Sequence, residues 1–184
     1  LIETVRVALN VAGHGKAASE FKRGVEFVNE GDYTRAEKSF RLAAGNGVRA
    51  ATFNLGVIYY RKATHQDYEK ALKWFRRAAR QGLHEAETRI GFMYERGKGV
   101  EKNVAEAISR YTKAAYRGDS FGQYLLGMRY LKGKGVTKNY SSAEEWLRKA
   151  AKQGDADAQK ELLLLDNVGA ENDNAVVSAF RALQ

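Results

Sequence analysis

The stretch "ERGKGVEKN" at residues 95–103 returns almost unchanged 36 residues later as "LKGKGVTKN" at residues 131–139. Glycines on both sides of a lysine first suggest a loop that binds phosphate. A phosphate loop, however, has the pattern G-x-x-x-x-G-K-[ST] between a strand and a helix. Here Lys98 and Lys134 are each followed by glycine, and the same loop occurs in two successive copies. We therefore predict a turn between helices, in which the glycines supply positive backbone torsion angles.

The offset between the two loops extends along most of the chain, which indicates an internal repeat. Each copy ends with an alanine pair followed three residues later by glycine, at Gly47, Gly82, Gly118 and Gly154. Nine residues further on, a second glycine stands at Gly56, Gly91 and Gly127. An aromatic residue follows that glycine after three more positions, at Tyr59, Tyr94 and Tyr130. The spacing therefore organises the chain into units of 35 or 36 residues.

One unit reads as two amphipathic helices, which we name the A helix and the B helix. Within residues 83–118, Ala86, Ile90 and Tyr94 share one helical face, and a second apolar stripe follows the glycine loop. Asn103 stands just before that second stripe, where its side chain can cap the B helix. The matching positions of the other units hold the capping residues Asp32, Asp67 and Asn139. Because one helix pair cannot bury both of its faces, neighbouring pairs must stack.

The combined pattern resembles the Sel-one-like repeat, a subclass of the tetratricopeptide-like helical hairpins. Residues 119–154 carry its signature at Leu126, Gly127, Tyr130, Gly133, Gly135, Val136, Ala143, Trp146, Ala150, Ala151 and Gly154. Residues 83–118 match nearly as well, with Arg110 in the tryptophan position, whereas residues 48–82 lack the G-x-G loop. The resemblance implies an all-α fold, a right-handed α-solenoid of stacked antiparallel helix pairs. Trp74 and Trp146 then occupy a packing position.

The repeats define the expected domain organisation. We predict a single α-solenoid domain over residues 1–184, with a partial N-terminal helix at 1–15, repeats at 16–47, 48–82, 83–118 and 119–154, and C-terminal capping helices at 155–184. No apolar run is long enough to cross a membrane. Because the chain begins at Leu1, we expect a processed or trimmed piece whose missing N-terminus carried any targeting signal.

The sequence offers no group of residues typical of an active site. Cysteine is absent, and the three histidines, His14, His65 and His84, have no metal-ligand spacing. Carboxylate pairs such as Glu144 and Glu145 fall on outer helix positions, and no serine stands at a strand-to-helix elbow. We therefore predict that the chain is not an enzyme and has no catalytic, metal-binding or cofactor-binding residue.

The resemblance implies that the A helices line a concave face and that their non-core positions contact a partner. We predict a partner-binding groove formed by Phe53, Val57, Tyr60, Arg61, Thr88, Phe92, Glu95, Arg96, Tyr124, Met128, Leu131 and Lys132. Many of these side chains are apolar or aromatic, as at interaction surfaces, and Arg61, Arg96 and Lys132 would line one edge. The groove suits an apolar segment with acidic flanks, or a carboxylate held by arginine. In the alternative interpretation, the apolar members pack between adjacent A helices.

The formal net charge of +9 raises a second possibility. Basic residues follow the predicted B helices at Lys73, Arg76, Arg77, Arg80, Lys113, Arg117, Arg148, Lys149 and Lys152. Such a surface could bind nucleic acid or anionic lipid. It lacks interleaved aromatic residues and any groove-reading motif, which favours an ordinary solvated face.

We therefore predict a protein–protein interaction scaffold or adaptor. The resemblance implies a bacterial protein that is located in the periplasm or cell envelope or is secreted, and the alternative is a cytoplasmic location. The implied roles are an envelope regulator, a host-interaction factor or an immunity protein that neutralises a secreted effector. The expected partner is a protein segment or domain, and acidic segments are among the expected partners. We expect neither a small-molecule substrate nor nucleic acid. Membrane association is expected only if the missing N-terminus is lipidated. The alternative functions are a basic surface binder of anionic membrane or nucleic acid and, third, a cryptic hydrolase.

Overall fold

The computed structural model of the protein describes residues 15–165, and the regular structure of that part is α-helical throughout. Eight helices have both ends within it: α1 (Lys16–Asn29), α2 (Tyr33–Gly45), α3 (Arg49–Lys62), α4 (His65–Arg80), α5 (His84–Arg96), α6 (Val104–Tyr116), α7 (Ser120–Lys132) and α8 (Tyr140–Lys152). Helical residues 156–165 follow. The expected partial helix at the N-terminus and the last capping helix, "NAVVSAFRAL", lie outside the described residues.

The chain divides into two compact units, Leu1–Lys113 and Ala114–Gln184, and the division falls within α6. In the described part, unit 1 holds α1 to α5 and most of α6. Unit 2 holds the end of α6, α7, α8 and the helical residues that follow. The single domain over residues 1–184 stays a prediction.

Three of the four predicted caps are confirmed. The side chains of Asp32, Asn103 and Asn139 accept hydrogen bonds from the backbone amides three residues later, at 2.8 to 2.9 Å. The prediction for Asp67 is wrong, because α4 begins earlier and Thr64 caps it. The amide of Asp67 donates to Oγ1 of Thr64 at 3.1 Å. The repeat at residues 48–82 lacks the G-x-G loop. The chain turns there through Ala63, which has a left-handed φ of 63°.

The two G-x-G loops are turns, as the sequence predicts. Gly97 and Gly99 have φ angles of +64° and +66°, and the second loop repeats this with positive φ at both glycines. Gly99 also allows a close approach. A Cβ atom there would lie 2.5 Å from the backbone nitrogen of Glu69 and 2.7 Å from the carbonyl oxygen of Tyr68. The loop after α5 therefore packs directly on the first turn of α4.

A large B-helix side chain covers the A-helix glycine in each pair. Phe40, Phe75, Tyr111 and Leu147 stand at equivalent repeat positions and lie against Gly24, Gly56, Gly91 and Gly127 respectively. A Cβ atom on Gly91 would lie 2.7 Å from the Tyr111 ring and 2.9 Å from the carbonyl oxygen of Ala107. Gly91 therefore allows the backbones of α5 and α6 to approach closely.

The apolar core of unit 1 follows from this packing. One cluster joins α1, α2 and α3 around Phe40 and Leu55, and the next joins α3, α4 and α5 around Phe75 and Ile90. In α3 every residue from Ala50 to Tyr59 is buried. The described core of unit 2 includes Met128, Leu147, Ala150 and Ala158.

The two tryptophans differ in burial. Trp146 is buried, as expected from its packing position, and the ring of Tyr116 meets it edge-on at 5.0 Å. Trp74 is only partly buried. The guanidinium groups of Arg41 and Arg77 lie 5.5 and 5.4 Å from its ring centre, so cation–π contacts complete its surroundings.

Charged side chains connect the helices of unit 1. The carboxylate of Glu37 accepts hydrogen bonds from Tyr59, Lys62 and Arg41. Burial raises the pKa of Glu37, but the hydrogen bonds from Lys62, Tyr59 and Arg41 outweigh it and lower the pKa to about 2. The network therefore holds α2 against α3.

A second buried carboxylate connects α5 with α6. Glu87 is almost fully buried and pairs with Arg110 at 2.8 Å and with Lys113. Burial raises the pKa of Glu87, but the hydrogen bonds from Lys113 and Arg110 outweigh it and leave the pKa lowered. Arg110 stands in the tryptophan position of its repeat, so an ion pair occupies the place of an aromatic contact there.

Candidate partner-binding surface

Four members of the predicted groove are buried, which corrects the sequence-based assignment. Phe53, Val57, Thr88 and Met128 are at most 8% exposed. Phe53 lies 5.4 Å from the ring of Phe75, and Val57 belongs to the same core cluster as Ile90. Other helices pack against these A helices on several sides, so positions that were expected to be exposed to solvent are buried. The burial of these four residues favours the alternative interpretation, in which such positions pack against neighbouring helices.

The other eight members of the predicted groove reach the surface. Within unit 1, Tyr60, Arg61, Phe92 and Glu95 are partly buried and Arg96 is exposed. Within unit 2, Tyr124 and Leu131 are partly buried and Lys132 is exposed. Contact with a partner at these positions remains a prediction.

Tyr60 and Phe92 belong to a surface cluster of aromatic and cationic side chains, which we name the Tyr60 cluster: Tyr60, Tyr68, Phe92, Arg96 and Lys98. The ring of Tyr60 lies 5.1 Å from that of Tyr68 and meets Phe92 edge-on at 6.5 Å. The guanidinium of Arg96 lies 5.1 Å from the Phe92 ring centre. The ammonium of Lys98 lies 4.6 Å from the Tyr68 ring centre.

Three helices and one loop position the Tyr60 cluster. Tyr60 lies near the end of α3, Tyr68 in the first turn of α4, and Phe92 and Arg96 in the second half of α5. Lys98 is held by the G-x-G loop, whose backbone bonds back to α5. The amide of Lys98 donates to the carbonyl of Met93 at 2.9 Å, and that of Asn103 donates to the carbonyl of Tyr94 at 2.9 Å. The surface is thus built on rigid backbone.

The electrostatics of the cluster are set by burial and by its cations. Burial raises the pKa of Tyr60, and neighbouring Tyr68 raises it further, while Arg96 and Arg89 act in the opposite direction. The nearby carboxylate of Glu95 accepts a hydrogen bond from the hydroxyl of Tyr111 at 2.8 Å. The guanidinium of Arg96 and the ammonium of Lys98 pair with no carboxylate of the described residues.

Sequence reasoning missed Tyr68 and Lys98. A signal for Tyr68 exists, because Tyr33 and Tyr140, the first residues of α2 and α8, occupy the equivalent repeat position. Lys98 was interpreted only as part of a turn. Its contact with Tyr68 depends on Gly99 packing against α4, which a repeat pattern alone does not reveal.

The A helix of unit 2 has different surroundings. The ring of Tyr124 stacks on that of Phe121 at 6.3 Å. Burial raises the pKa of Tyr124, and Asp157, Glu161 and Asp155 raise it further. Leu131 packs against the core cluster of the unit. Three carboxylates therefore lie near Tyr124 in unit 2.

Three of the nine basic residues of the predicted B-helix surface pair with glutamates in the described part of the structure. Arg148 and Lys149 each lie 2.6 Å from a glutamate one turn earlier, and Lys113 pairs with Glu87. Arg76 donates a hydrogen bond to the hydroxyl of Tyr94. These pairs reduce the positive field of the B helices and favour an ordinary solvated face.

Among residues 15–165, no group of three or more histidine or acidic side chains is arranged to hold a metal ion. His65 is exposed, and its Nε2 lies 3.5 Å from Oε1 of Glu69. His14 lies outside the described residues. No helix in the described part has the length and apolar character needed to cross a membrane.

The Sel1 repeat family matches the chain three times in succession, at residues 49–83, 84–119 and 120–155. The chain belongs to the Sel1 repeat family. This confirms the resemblance noted from the sequence, and with it the all-α, α-solenoid fold class. Each match begins one residue after the first residue of a repeat that was predicted from the sequence.

Solved structures of Sel1 repeat proteins resemble this chain. A protective antigen of uropathogenic Escherichia coli strains, which displays an SLR fold, is 34% identical with a TM-score of 0.72, over 83% of this chain and 34% of its own. A Sel1 repeat protein from Oxalobacter formigenes is 31% identical with a TM-score of 0.73, over 79% of this chain and 60% of its own. Cysteine-rich protein B of Helicobacter pylori is 27% identical with a TM-score of 0.55, over 68% of this chain and 96% of its own.

No curated protein matched the chain. The chain spans about a third of the length of the E. coli protein and 60% of that of the Oxalobacter protein. Sel1 repeat proteins are typically non-catalytic scaffolds for protein–protein interaction. The family thus gives the class of function, and the particular partner has to be argued from the surface of this chain.

Proposed function

We propose that the chain is a non-catalytic protein–protein interaction scaffold that binds a segment of a partner protein at the Tyr60 cluster. One observation carries the proposal: partly buried aromatic side chains from three helices meet at the surface beside two cations that pair with no acidic side chain of residues 15–165. Aromatic residues and arginine are the residue types that most often dominate binding energy at protein interfaces.

The rigidity of the cluster supports this role. Its side chains stand on helices and on a loop that is hydrogen-bonded at both ends, so little conformational entropy is lost when a partner binds. The net charge of +9 and the cations of Arg96 and Lys98, which have no acidic partner in the described part of the chain, favour an acidic partner segment. On the B helices, by contrast, Lys113, Arg148 and Lys149 are paired with glutamates in the described part of the chain.

The biological setting is also a proposal. The protective antigen of uropathogenic E. coli, to which the chain is 34% identical, supports a role at the cell envelope or outside the cell. A regulator of the envelope or a host-interaction factor would use the cluster to hold its partner. An immunity protein that neutralises a secreted effector is a further version of the same proposal.

A quantitative pull-down from lysate of the source organism tests the proposal. The bait is the wild-type chain or the Tyr60→Ala/Phe92→Ala variant, and captured proteins are quantified by mass spectrometry at moderate salt. We expect one protein to be captured by the wild type and lost with the double variant. Truncation of an aromatic anchor at an interface typically costs more than about 1 kcal/mol.

A matched control uses Tyr116→Ala/Tyr140→Ala, which removes two exposed aromatic side chains of unit 2. Capture must survive in this control. If instead capture persists in Tyr60→Ala/Phe92→Ala and disappears at high salt, the chain is a basic surface binder and the proposal is wrong.

A further inference from the structure

The Tyr60 cluster contains a subsite for an anion, and this inference rests on the function proposed above. We infer that a carboxylate of the bound protein segment is held by the hydroxyl of Tyr60 and the guanidinium of Arg96, with the ammonium of Lys98 close to the same patch. The occupant is an acidic residue or the C-terminal carboxylate of the partner, and the experiment below separates the two.

The hydrogen-bond partners of the tyrosines support this subsite. In unit 1 the hydroxyl groups of Tyr33, Tyr59, Tyr94 and Tyr111 all have partners in arginine or glutamate side chains. The hydroxyl of Tyr60, although its ring is partly buried, bonds to none of the described residues. A partly buried tyrosine hydroxyl usually finds a partner, so Tyr60 is suited to donate to a ligand.

Four cations of unit 1 have acidic partners, which Arg96 lacks among the described residues. Arg41, Lys62, Arg110 and Lys113 are each paired with a glutamate. Arg96 instead lies over the face of Phe92, 5.1 Å from the ring centre. A guanidinium stacked on a ring keeps its N–H edge available, and that edge matches the two oxygens of a carboxylate.

The surroundings favour a carboxylate over the phosphate backbone of a nucleic acid. Glu69, Glu95 and Glu101 stand beside or near Tyr68, Arg96 and Lys98 in the sequence. A long polyanion would pass these glutamates and be repelled, whereas one carboxylate would meet the cations alone. The Phe92 and Tyr68 rings beside the cations can receive the apolar neighbour of that acidic residue.

The test begins with selection of a random linear-peptide library displayed on phage against the wild-type chain. The enriched peptide is synthesised in three further forms, with each acidic residue replaced by its amide, with an amidated C-terminus, and with both changes. Affinities for the wild type, Tyr60→Phe and Arg96→Gln are measured by fluorescence anisotropy. Arg80→Gln is the matched control, because Arg80 and Arg96 are the last residues of α4 and α5.

We expect loss of the peptide carboxylate to weaken binding to the wild type about tenfold or more, since its charge-assisted hydrogen bonds are lost. The same loss should have little effect on binding to Arg96→Gln, and a reduced effect with Tyr60→Phe. The form of the peptide that loses affinity identifies a side-chain or a C-terminal carboxylate. Arg80→Gln should bind like the wild type.

If the peptide loses affinity for Phe92→Ala but binds Arg96→Gln and the wild type equally, the anion subsite is wrong. The proposed function would then still stand. Peptides whose binding is unaffected by Phe92→Ala would overturn both. Arg80→Gln weakening binding as much as Arg96→Gln would show an effect of total charge, and would also overturn the subsite. Competition by single-stranded DNA that depends on Arg96 would assign the cluster to nucleic acid instead.

Discussion

Arg76 donates a hydrogen bond from Nη2 to the hydroxyl of Tyr94 at 2.9 Å. The same bond joins Arg41 to Tyr59, one repeat earlier in the chain, at 2.7 Å. In both cases an arginine on a B helix reaches the signature tyrosine of the next A helix. The Sel1 tyrosine therefore links one helix pair to the next in unit 1.

We expect Tyr59→Phe to lower the free energy of unfolding more than Tyr94→Phe. Tyr59 donates to Glu37 as well as accepting from Arg41, so its hydroxyl takes part in two hydrogen bonds. Losses of about 2 and about 1 kcal/mol are expected from the usual values for such bonds. Urea unfolding followed by circular dichroism measures both, and Tyr140→Phe serves as the exposed control. Equal stability of Tyr59→Phe and Tyr140→Phe would contradict this prediction.

Gly91→Ala and Gly45→Ala should have opposite effects. A Cβ atom on Gly91 would approach the Tyr111 ring and the Ala107 carbonyl oxygen too closely, so we expect destabilisation of about 1–3 kcal/mol. Gly45 ends α2, and a Cβ atom there meets nothing within 4 Å. Alanine should stabilise that helix end by up to about 1 kcal/mol. Thermal unfolding of the two variants checks the signs, and a stabilised Gly91→Ala would show that the pair is not closely packed.

Gly99→Ala tests how the loop of Lys98 is held against α4. Gly31 and Gly99 both have positive φ, so alanine is strained at either position, by about 1–2 kcal/mol. Only at Gly99 would the new Cβ atom also collide with the backbone of Tyr68 and Glu69. We therefore expect Gly99→Ala to be the less stable variant in urea unfolding. It should also weaken binding at the Tyr60 cluster, whereas Gly31→Ala should not.

The stability of the protein should fall in acid partly because of Glu37. Its pKa is about 2 in the folded chain, against an ordinary value of 4.5. A lowered pKa in the folded state stabilises the protein fully above pH 4.5, and this contribution is lost as the pH falls towards about 2. Glu37→Gln should be less stable at pH 7 and should show a flatter dependence of unfolding free energy between these two pH values.

Glu144→Gln provides the comparison for this pH series, because Glu144 makes an exposed ion pair with Arg148 on one helix. Exposed pairs of this kind have small effects. If Glu37→Gln and Glu144→Gln show the same slope against pH, the network around Glu37 does not have the role given to it here.

The repeat architecture could be predicted from sequence because its determinants are local and periodic. Gly91 and Tyr111 recur with their equivalents at a fixed spacing, and the backbone approach they permit needs no distant information. The caps of three of the four B helices could also be predicted, since a capping side chain bonds to its own helix. Thr64 was missed because the altered loop before α4 shifts the helix start, and the repeat register hides that shift.

The candidate surface was predicted only in part, because burial on an A helix depends on its neighbours. Phe53 and Thr88 occupy positions that the repeat pattern left open to solvent, yet packing encloses both. Tyr60 and Phe92 lie nearer the edge of the packed face and stay partly exposed. Lys98 reaches Tyr68 through a loop contact between successive repeats, which no periodic pattern encodes.

Site-specific photo-crosslinking in cells tests whether a partner protein binds at the Tyr60 cluster. A photoreactive phenylalanine analogue is placed at position 92 in one protein and at position 140 in another, and both are irradiated in cells of the source organism. We expect one protein to be crosslinked from position 92 and not from the exposed control position. Crosslinks of that protein from position 140 alone would contradict the claim that the Tyr60 cluster is the binding surface.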